Sequence, residues 1–212
     1  MLAVSGNRRS KQRARARNRF AATALEYAAL GWPCVAGAHP PADGDRACSC
    51  DRVGCPDPGA HPVSAAWAVQ ATTDQQTLTR WWTERPDANV ILPTGRVFDV
   101  FDVPAAAALP GLTRIAKDPR MLGPVAVVGE ERYLFFVATR GAPDDEDEWW
   151  SCQLDCSPET LVDNPGMRWH CRESYVVAPP SDLPFGRTVS WIRPPDGTPL
   201  PDPLRLLEVL AD

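Results

Sequence analysis

Three cysteines and one histidine stand close together early in the chain. Cys48, Cys50, Cys55 and His61 follow the spacing Cys-x-Cys-x4-Cys-x5-His. Three thiolates and an imidazole are a ligand set for a tetrahedral zinc ion, and four protein ligands leave no open coordination position. We therefore expect a structural zinc site that holds its loop together and does not activate water. His39 is an alternative fourth ligand, and a reduced cysteine-rich loop without metal is the alternative to the whole site.

A second group of the same residue types is looser: Cys152, Cys156, His170 and Cys171. Buried free cysteines explain this group as well as a second metal site does. The chain has seven cysteines, an odd number that does not suit the disulfide framework of a secreted protein. No apolar segment approaches the roughly 20 residues needed to cross a bilayer. We expect reduced thiols, a cytoplasmic location and no membrane contact.

Basic residues are concentrated at the start of the chain. Of 22 lysines and arginines, 7 fall within residues 8–19, which leaves 15 basic against 27 acidic side chains elsewhere. Such an arm can bind the phosphates of nucleic acid in a salt-dependent way, with Arg13, Arg15 and Arg17 as candidate contacts. The alternative is that residues 1–19 are a solvated, disordered tail. The acidic remainder does not favour a basic channel for a template strand.

Four helices are predicted from periodicity and end signals. The first, over residues 20–30, is rich in alanine and leucine and stops at Gly31. The second begins with Thr73 as N-cap and Gln76 three positions later, a capping box, and ends before Pro86. The other two are an alanine-rich helix after Pro104 and an amphipathic helix over residues 204–210.

Strands are predicted where short apolar runs lie between turn residues. Residues 89–93 and 97–103 flank the Thr94-Gly95 turn and would form the first half of a sheet. Residues 124–128 and 133–138 would form a hairpin. Further strands are predicted over residues 174–178 and 189–192.

The fold class follows from the order of these elements. Strands and helices do not alternate strictly, which favours α+β over a doubly wound fold. We expect one domain over residues 20–212, with a mixed or antiparallel sheet flanked by helices. A polar loop over about residues 34–62 is too long to pack by itself, and the zinc ion would stabilise it.

Short motifs occur in a fixed order along most of residues 20–210. They are Gly31-Trp32-Pro33, the cysteine and histidine group, Trp81-Trp82, Pro93-Thr94-Gly95, the run from Phe98 to Val103, and Tyr175-Val176-Val177-Ala178-Pro179-Pro180-Ser181. In this order they resemble the bifunctional DNA primase/polymerase family. The resemblance implies an archaeo-eukaryotic primase-like fold and a role in DNA replication. It also implies DNA and nucleoside triphosphates as partners, with Mg or Mn at acidic side chains for nucleotidyl transfer.

The family places its acidic metal ligands on the strand after the Thr-Gly turn, in a pattern close to Leu-Asp-Val-Asp. Asp102 matches the first acid, but the second falls on Pro104, which has no side-chain oxygen. Asp99 lies three residues before Asp102 and would face the other side of a regular strand, unless a bulge turned it round. Alternatively, Asp102 caps the helix that starts at Pro104.

Two further positions differ from the family pattern. Its hairpin histidine corresponds to Tyr133, and the acid that precedes Val-Val-Ala-Pro-Pro-Ser is absent or displaced to Glu173. The same stretch offers Arg168, His170 and Arg172 as contacts to nucleotide or nucleic acid. We therefore expect nucleotidyl transfer to be weak or lost.

Three functions agree with these observations. The first is a DNA-directed primase/polymerase with Asp102, Asp99 and Glu173 as catalytic residues. The second is a non-catalytic protein that binds nucleic acid or nucleotide, and the third is a regulatory module that binds a protein partner. Six tryptophans would either stack on bases or pack in the core: Trp81, Trp82, Trp149, Trp150, Trp169 and Trp191.

Overall fold

The computed structural model describes residues 19–42, 46–50, 52–121, 123–139, 159–160 and 166–211. The helices within these ranges are α1 (residues 19–29), α2 (Trp67–Gln70), α3 (Gln75–Glu84), α4 (Ala105–Ile115) and α5 (Pro203–Ala211). Short 3-10 turns lie at Pro119–Met121 and Pro184–Gly186. None of the helices described is long and apolar enough to cross a membrane.

The strands described are β1 (Val35–Gly37), β2 (Asn89–Pro93), β3 (Asp99–Pro104), β4 (Val125–Val128), β5 (Arg132–Val137), β6 (Glu159–Thr160), β7 (Arg168–His170), β8 (Tyr175–Ala178), β9 (Ser181–Asp182) and β10 (Thr188–Arg193). They form a three-stranded sheet in the order β1-β2-β8 and a seven-stranded sheet in the order β6-β7-β3-β5-β4-β10-β9. Neighbouring strands in both sheets pair antiparallel. The expected α+β class, with antiparallel sheets flanked by helices, is confirmed.

The prediction that β2 and β3 form part of one sheet is wrong. The Thr94-Gly95 turn carries the chain from the small sheet to the large one. Both strands are almost wholly buried, so their residue patterns are continuous apolar runs that do not reveal the sheet to which each belongs. Residues of both sheets contribute to one core.

The large sheet is covered on both faces. Val100, Leu134 and Phe136 point toward one core, which also contains residues of α1, α3 and the small sheet. Phe101 and Phe135 alternate with them and point toward a second core under α4 and α5. Every second side chain of the interior strand β3 therefore faces the space between the sheets.

Trp32 explains why the Gly31-Trp32-Pro33 motif matters to the fold. Its indole is buried at the end of α1, and its ring centroid lies 4.5 Å from that of Phe98 and 5.4 Å from that of Phe136. Aromatic pairs at these distances contribute packing energy beyond the area that they bury. The motif therefore fastens the first helix to the large sheet.

Most of the predicted elements lie where the sequence placed them, namely α1, α4, α5, the β4–β5 hairpin, β8 and β10. The N-cap of α3 is a correction. The Asp74 carboxylate, not Thr73, accepts the N–H of Thr77 at 2.7 Å, because the helix starts one residue later than predicted. The helix buries Leu78 and Trp82. Sequence analysis missed five short elements, β1, α2, β6, β7 and β9, which contain too few residues to show a period.

Candidate functional site

A cleft of about 310 Å³ lies between the two sheets. The face of the large sheet that carries Asp102 forms its floor, and strand β8 forms the opposite wall. The charged and titratable side chains that line it are Asp57, Asp102, Arg132, Arg168, His170 and Arg187. Three arginines and a histidine thus meet two carboxylates in one space.

Antiparallel register brings the polar floor residues together. Asp102 of β3 lies opposite Arg168 of β7 on one side and opposite Leu134 of β5 on the other. Residues directly opposite in a sheet share a face, and so do residues two apart along a strand. His170 and Arg132 are each two positions from these partners, so they face the cleft as well.

The Asp102 carboxylate is surrounded by protein cations. Its side chain is 8% exposed, and Arg132 Nε donates to Oδ1 at 2.6 Å. Arg132 Nη2 also donates at 2.9 Å to the carbonyls of Asp102 and Gly166. Arg168 Nη1 and His170 Nε2 each lie 3.8 Å from Asp102 Oδ2. Burial would raise the pKa of Asp102, but hydrogen bonds to His170 and Arg132 and their charges outweigh it, so that the pKa lies below its usual value.

Thr94 holds the loop that follows His170 of β7. Thr94 Oγ1 donates to the Cys171 carbonyl at 2.6 Å, and the Thr94 N–H donates to the Ser174 carbonyl at 2.9 Å. The Ser174 hydroxyl lies 3.0 Å from His170 Nδ1. The imidazole is thus oriented from one side by Ser174 while its other nitrogen faces Asp102.

Gly95 allows this loop to approach the turn. Its φ is +80°, and a Cβ at this position would lie 2.3 Å from Arg172 Cα. No other residue type avoids both the left-handed backbone and the clash. The Gly95 N–H donates to the Phe98 carbonyl at 2.8 Å, which closes the turn into β3. The Thr-Gly motif is therefore a positioning device for the cleft.

Other predicted site residues do not line the cleft. Asp99 is on the opposite face of β3, where its carboxylate accepts a hydrogen bond from Trp169 Nε1 at 3.2 Å. Pairing of β3 with β5 is unbroken from Asp99 to Pro104, so no bulge turns Asp99 toward Asp102. Arg172 and Glu173 are exposed and also lie outside the cleft lining. Pro104 is the N-cap of α4 without a side-chain cap, so the capping alternative for Asp102 is wrong.

Several residues with predicted roles lie outside the part of the chain that the structure describes. They are Arg13, Arg15 and Arg17 of the arm, Cys152 and Cys156 of the second cysteine group, and Trp149 and Trp150. Of the other tryptophans, Trp82 and Trp169 are buried and Trp81 and Trp191 are half-buried.

Sequence reasoning missed Arg132, Arg187 and Asp57. Arg132 lies two positions before Leu134, the partner of Asp102, but β3 and β5 are separated by α4 and β4, so no local pattern predicts this pairing. Arg187 and Asp57 come from loops, whose position no local pattern predicts. Asp57 is exposed, yet desolvation by the groups around it raises its pKa; the charges of His61, Arg168 and Arg187 oppose that rise and the charge of Asp102 adds to it.

The cysteine and histidine group does come together. The ligand atoms of Cys48, Cys50, Cys55 and His61 all lie within 4.8 Å of one another, so these residues could hold a metal ion such as zinc. His61 Nε2 lies 3.3 Å from Cys48 Sγ, and Nδ1 lies 2.8 Å from the Pro62 carbonyl. A proton on Nδ1 would donate to that carbonyl and leave Nε2 as a ligand. His39 is not part of the cluster.

The loop that carries the cysteines is fastened to both sheets. Buried Asn89 of β2 donates from Nδ2 to the carbonyls of Gly59 and Asp182, at 2.8 and 2.7 Å. Its Oδ1 accepts the Asp182 N–H at 2.9 Å. The Gly59 N–H in turn donates to Cys48 Sγ at 3.4 Å. The cysteine and histidine cluster is therefore connected through Gly59 and Asn89 to Asp182, at the edge of the cleft.

Asp102 has no comparable cluster of ligands. Within the described ranges, groups of three or more metal-ligating side chains occur at the cysteine and histidine cluster alone. Two-metal phosphoryl chemistry requires several carboxylates around the ions. At Asp102, the Arg132 guanidinium instead donates a hydrogen bond to the carboxylate oxygen Oδ1.

Comparison with known proteins identifies a family for the chain. The family model described as bifunctional DNA primase/polymerase, N-terminal, matches residues 24–203. The matched region includes every residue of the cleft and of the cysteine and histidine cluster. A search of curated proteins finds no match to the chain.

Proposed function

Because the chain belongs to the bifunctional DNA primase/polymerase family, we propose that its cleft binds the phosphates of a nucleotide or of a DNA strand while nucleotidyl transfer is weak or lost. One observation carries this proposal. The acid that matches the family pattern, Asp102, is bound by Arg132 at 2.6 Å and approached by two further cationic or titratable groups.

The loss of catalysis is supported by the chemistry of the ligands. A divalent ion at Asp102 would either displace the Arg132 guanidinium from Oδ1 or bind Oδ2, where Arg168 and His170 already lie at 3.8 Å. Like charges at such distances repel strongly in a partly enclosed site. The second position of the family pattern, Pro104, offers no oxygen to compensate.

Retention of phosphate binding is supported by the remaining cations. Arg168 is half exposed and lies 3.8 Å from Asp102, beyond hydrogen-bond distance, so its donors remain available to a ligand. Arg187 lines the other side of the same cleft. One guanidinium group can donate two parallel hydrogen bonds to two oxygens of a phosphate, which makes arginine well suited to this role.

The cysteine and histidine cluster would have a structural role. We assign it zinc because three thiolates and one imidazole are a zinc ligand set, and four ligands close the coordination sphere. The ion would fix the loop that places Asp57 at the cleft and would supply no step of a reaction.

Calorimetric titration with dTTP tests the binding half of the proposal. We expect the wild type to bind and Arg168→Ala to weaken the affinity by about 10-fold or more, the loss typical of a charge-assisted hydrogen bond. Arg80→Ala is the matched control, since Arg80 is an exposed arginine of α3 outside the cleft. Absence of wild-type binding both to dTTP and to an oligo(dT) strand would reject the proposal.

A second candidate function, residual DNA-directed polymerase activity with Mg or Mn, rests on Asp57. This carboxylate lines the same cleft as Asp102 and is close enough for their charges to interact. Primer extension by the wild type that both Asp57→Asn and Asp102→Asn abolish would establish it. Extension that neither variant changes would point to a contaminating polymerase.

A further inference from the structure

A bulky aromatic residue occupies an unfavourable backbone position at the tip of the loop between β9 and β10. Phe185 has φ 63° and ψ 28°, and Gly186 follows with φ 73°. Positive φ at both central residues is the pattern of a type I′ turn, in which asparagine, aspartate or glycine is preferred at the first position. A bulky side chain in this region is an outlier that costs stability.

Burial does not compensate for that cost. The Phe185 side chain is 96% exposed, so it contributes no hydrophobic stabilisation to the fold. Val53 is also fully exposed, but its φ is not positive. Among the non-glycine residues described, positive φ occurs at Phe185 and at Glu173. Phe185 thus combines strain with exposure, which points to a role outside the folded chain.

The tip lies at the rim of the cleft. Leu183 and Arg187, the residues on either side of the 3-10 turn, both line the cleft. The Leu183 N–H donates to the Arg187 carbonyl at 2.8 Å, which closes the base of the loop. Phe185 therefore projects from the rim two residues away from a cleft arginine, whose guanidinium lies 3.4 Å from Glu131.

We propose that Phe185 is a stacking platform for an unpaired base of single-stranded nucleic acid whose phosphates occupy the cationic cleft. This inference rests on the proposed function and adds the strand as ligand and the loop tip as base contact. Every base has an aromatic face, so a single exposed ring beside arginines binds a strand without reading its sequence. The nearby cations favour a polyanion over an uncharged or basic protein surface.

Fluorescence anisotropy with a fluorescein-labelled oligo(dT) strand tests this inference. Phe185→Asn suits the turn and removes the ring, so we expect a higher Tm together with oligo(dT) affinity lower by about 5-fold or more. Affinity for dTTP should stay within about twofold, since phosphate contacts dominate the binding of a mononucleotide. Phe185→Trp should retain oligo(dT) binding because it keeps an aromatic face.

Leu109→Gln is the matched control, because Leu109 is 53% exposed on α4, which covers the other face of the large sheet. It should leave both affinities unchanged. Equal oligo(dT) affinity of Phe185→Asn and the wild type would overturn the inference and assign the exposed ring to a protein contact. Equal losses in Phe185→Asn and Phe185→Trp, or a lower Tm of Phe185→Asn, would also overturn it. If the wild type binds neither dTTP nor oligo(dT), the proposed function is rejected, and this inference with it.

Discussion

Asp102 carries a negative charge in a cleft whose other charged groups are mostly cations. Its nearest partner is the Arg132 guanidinium, and the pKa of Asp102 lies below its usual value because hydrogen bonds and positive charge outweigh burial. The negative charge of an acid in this environment is already balanced by positive charges of the protein. In the function that we propose, the residue type that would bind Mg²⁺ beside a second acid serves instead as a counter-ion among the cations of the cleft.

Removal of Arg132 should destabilise the fold. Arg132→Ala leaves a buried carboxylate with Arg168 and His170 at 3.8 Å as its remaining cationic partners. Removal of one partner of a buried ion pair lowers the free energy of unfolding by about 3–5 kcal/mol. Because two partners remain, we expect a loss of about 3 kcal/mol. Urea denaturation monitored by tryptophan fluorescence measures it.

A double variant separates this effect from simple loss of packing. Asp102→Asn combined with Arg132→Ala removes both charges, so its loss of stability should be smaller than the sum of the losses in the two single variants. Arg120→Ala provides a control, because its ion pair with Asp118 is on the surface. Additive losses at Asp102 and Arg132 would show that the two charges do not interact.

The turn between β2 and β3 and the loop that carries the cysteines position the cleft. The turn carries the chain between sheets and holds the loop that follows His170, while the cysteine loop places Asp57. Neither segment supplies a cation to the cleft. Their contribution is geometric, and it can be tested by changes that leave every charged residue in place.

Gly95→Ala should be much more harmful than an alanine at another left-handed glycine. Gly95 and Gly197 both have φ +80°, but a Cβ meets the Arg172 backbone at 2.3 Å in one and nothing within 4 Å in the other. We expect about 1 kcal/mol for Gly197→Ala from backbone strain alone, and about 3 kcal/mol or more for Gly95→Ala. Thermal denaturation of both variants compares them, and equal Tm values would refute the close approach.

Metal content tests the cysteine and histidine cluster. Mass spectrometry of the purified protein should find about one zinc per chain, the number held by a four-ligand site. His61→Ala should lose the ion and lower Tm, whereas His39→Ala should keep it, because His39 is outside the cluster. Zinc retained by His61→Ala and lost by His39→Ala would reverse the assignment.

Local patterns predicted the elements better than their arrangement. Caps and apolar runs indicated α4, α5 and the β4–β5 hairpin, and the cysteine spacing indicated the ligands that the structure brings together. The division into two sheets could not be predicted, because β2 and β3 are both buried runs joined by a short turn. Arg187 and Asp57 were missed for a related reason: long-range packing of loops places them, and no period in the sequence encodes it.

The whole molecule combines an acidic body with a basic first segment. The net charge is −5, although 7 of the 22 basic residues lie within residues 8–19. An acidic body repels a nucleic-acid strand at long range. Strand binding should therefore depend on a few local cations, those of the cleft and those of the arm.

The contribution of the arm can be measured from salt dependence. The triple variant Arg13→Gln, Arg15→Gln, Arg17→Gln should reduce the slope of log affinity for oligo(dT) against log salt by about 2, at about 0.7 for each phosphate contact on a single strand. Affinity for dTTP should not change, because a mononucleotide is held in the cleft. An unchanged slope would mean that the arm does not contact the strand.

The most direct test of the account is a titration of dTTP with and without Mg²⁺, followed by calorimetry. If Arg168, Arg187 and their neighbours hold the phosphates in place of metal ions, dTTP binds in magnesium-free buffer at least as tightly as in its presence. Binding that appears only when Mg²⁺ is added would contradict the account, because it would mean that Asp102 still recruits an ion for the triphosphate.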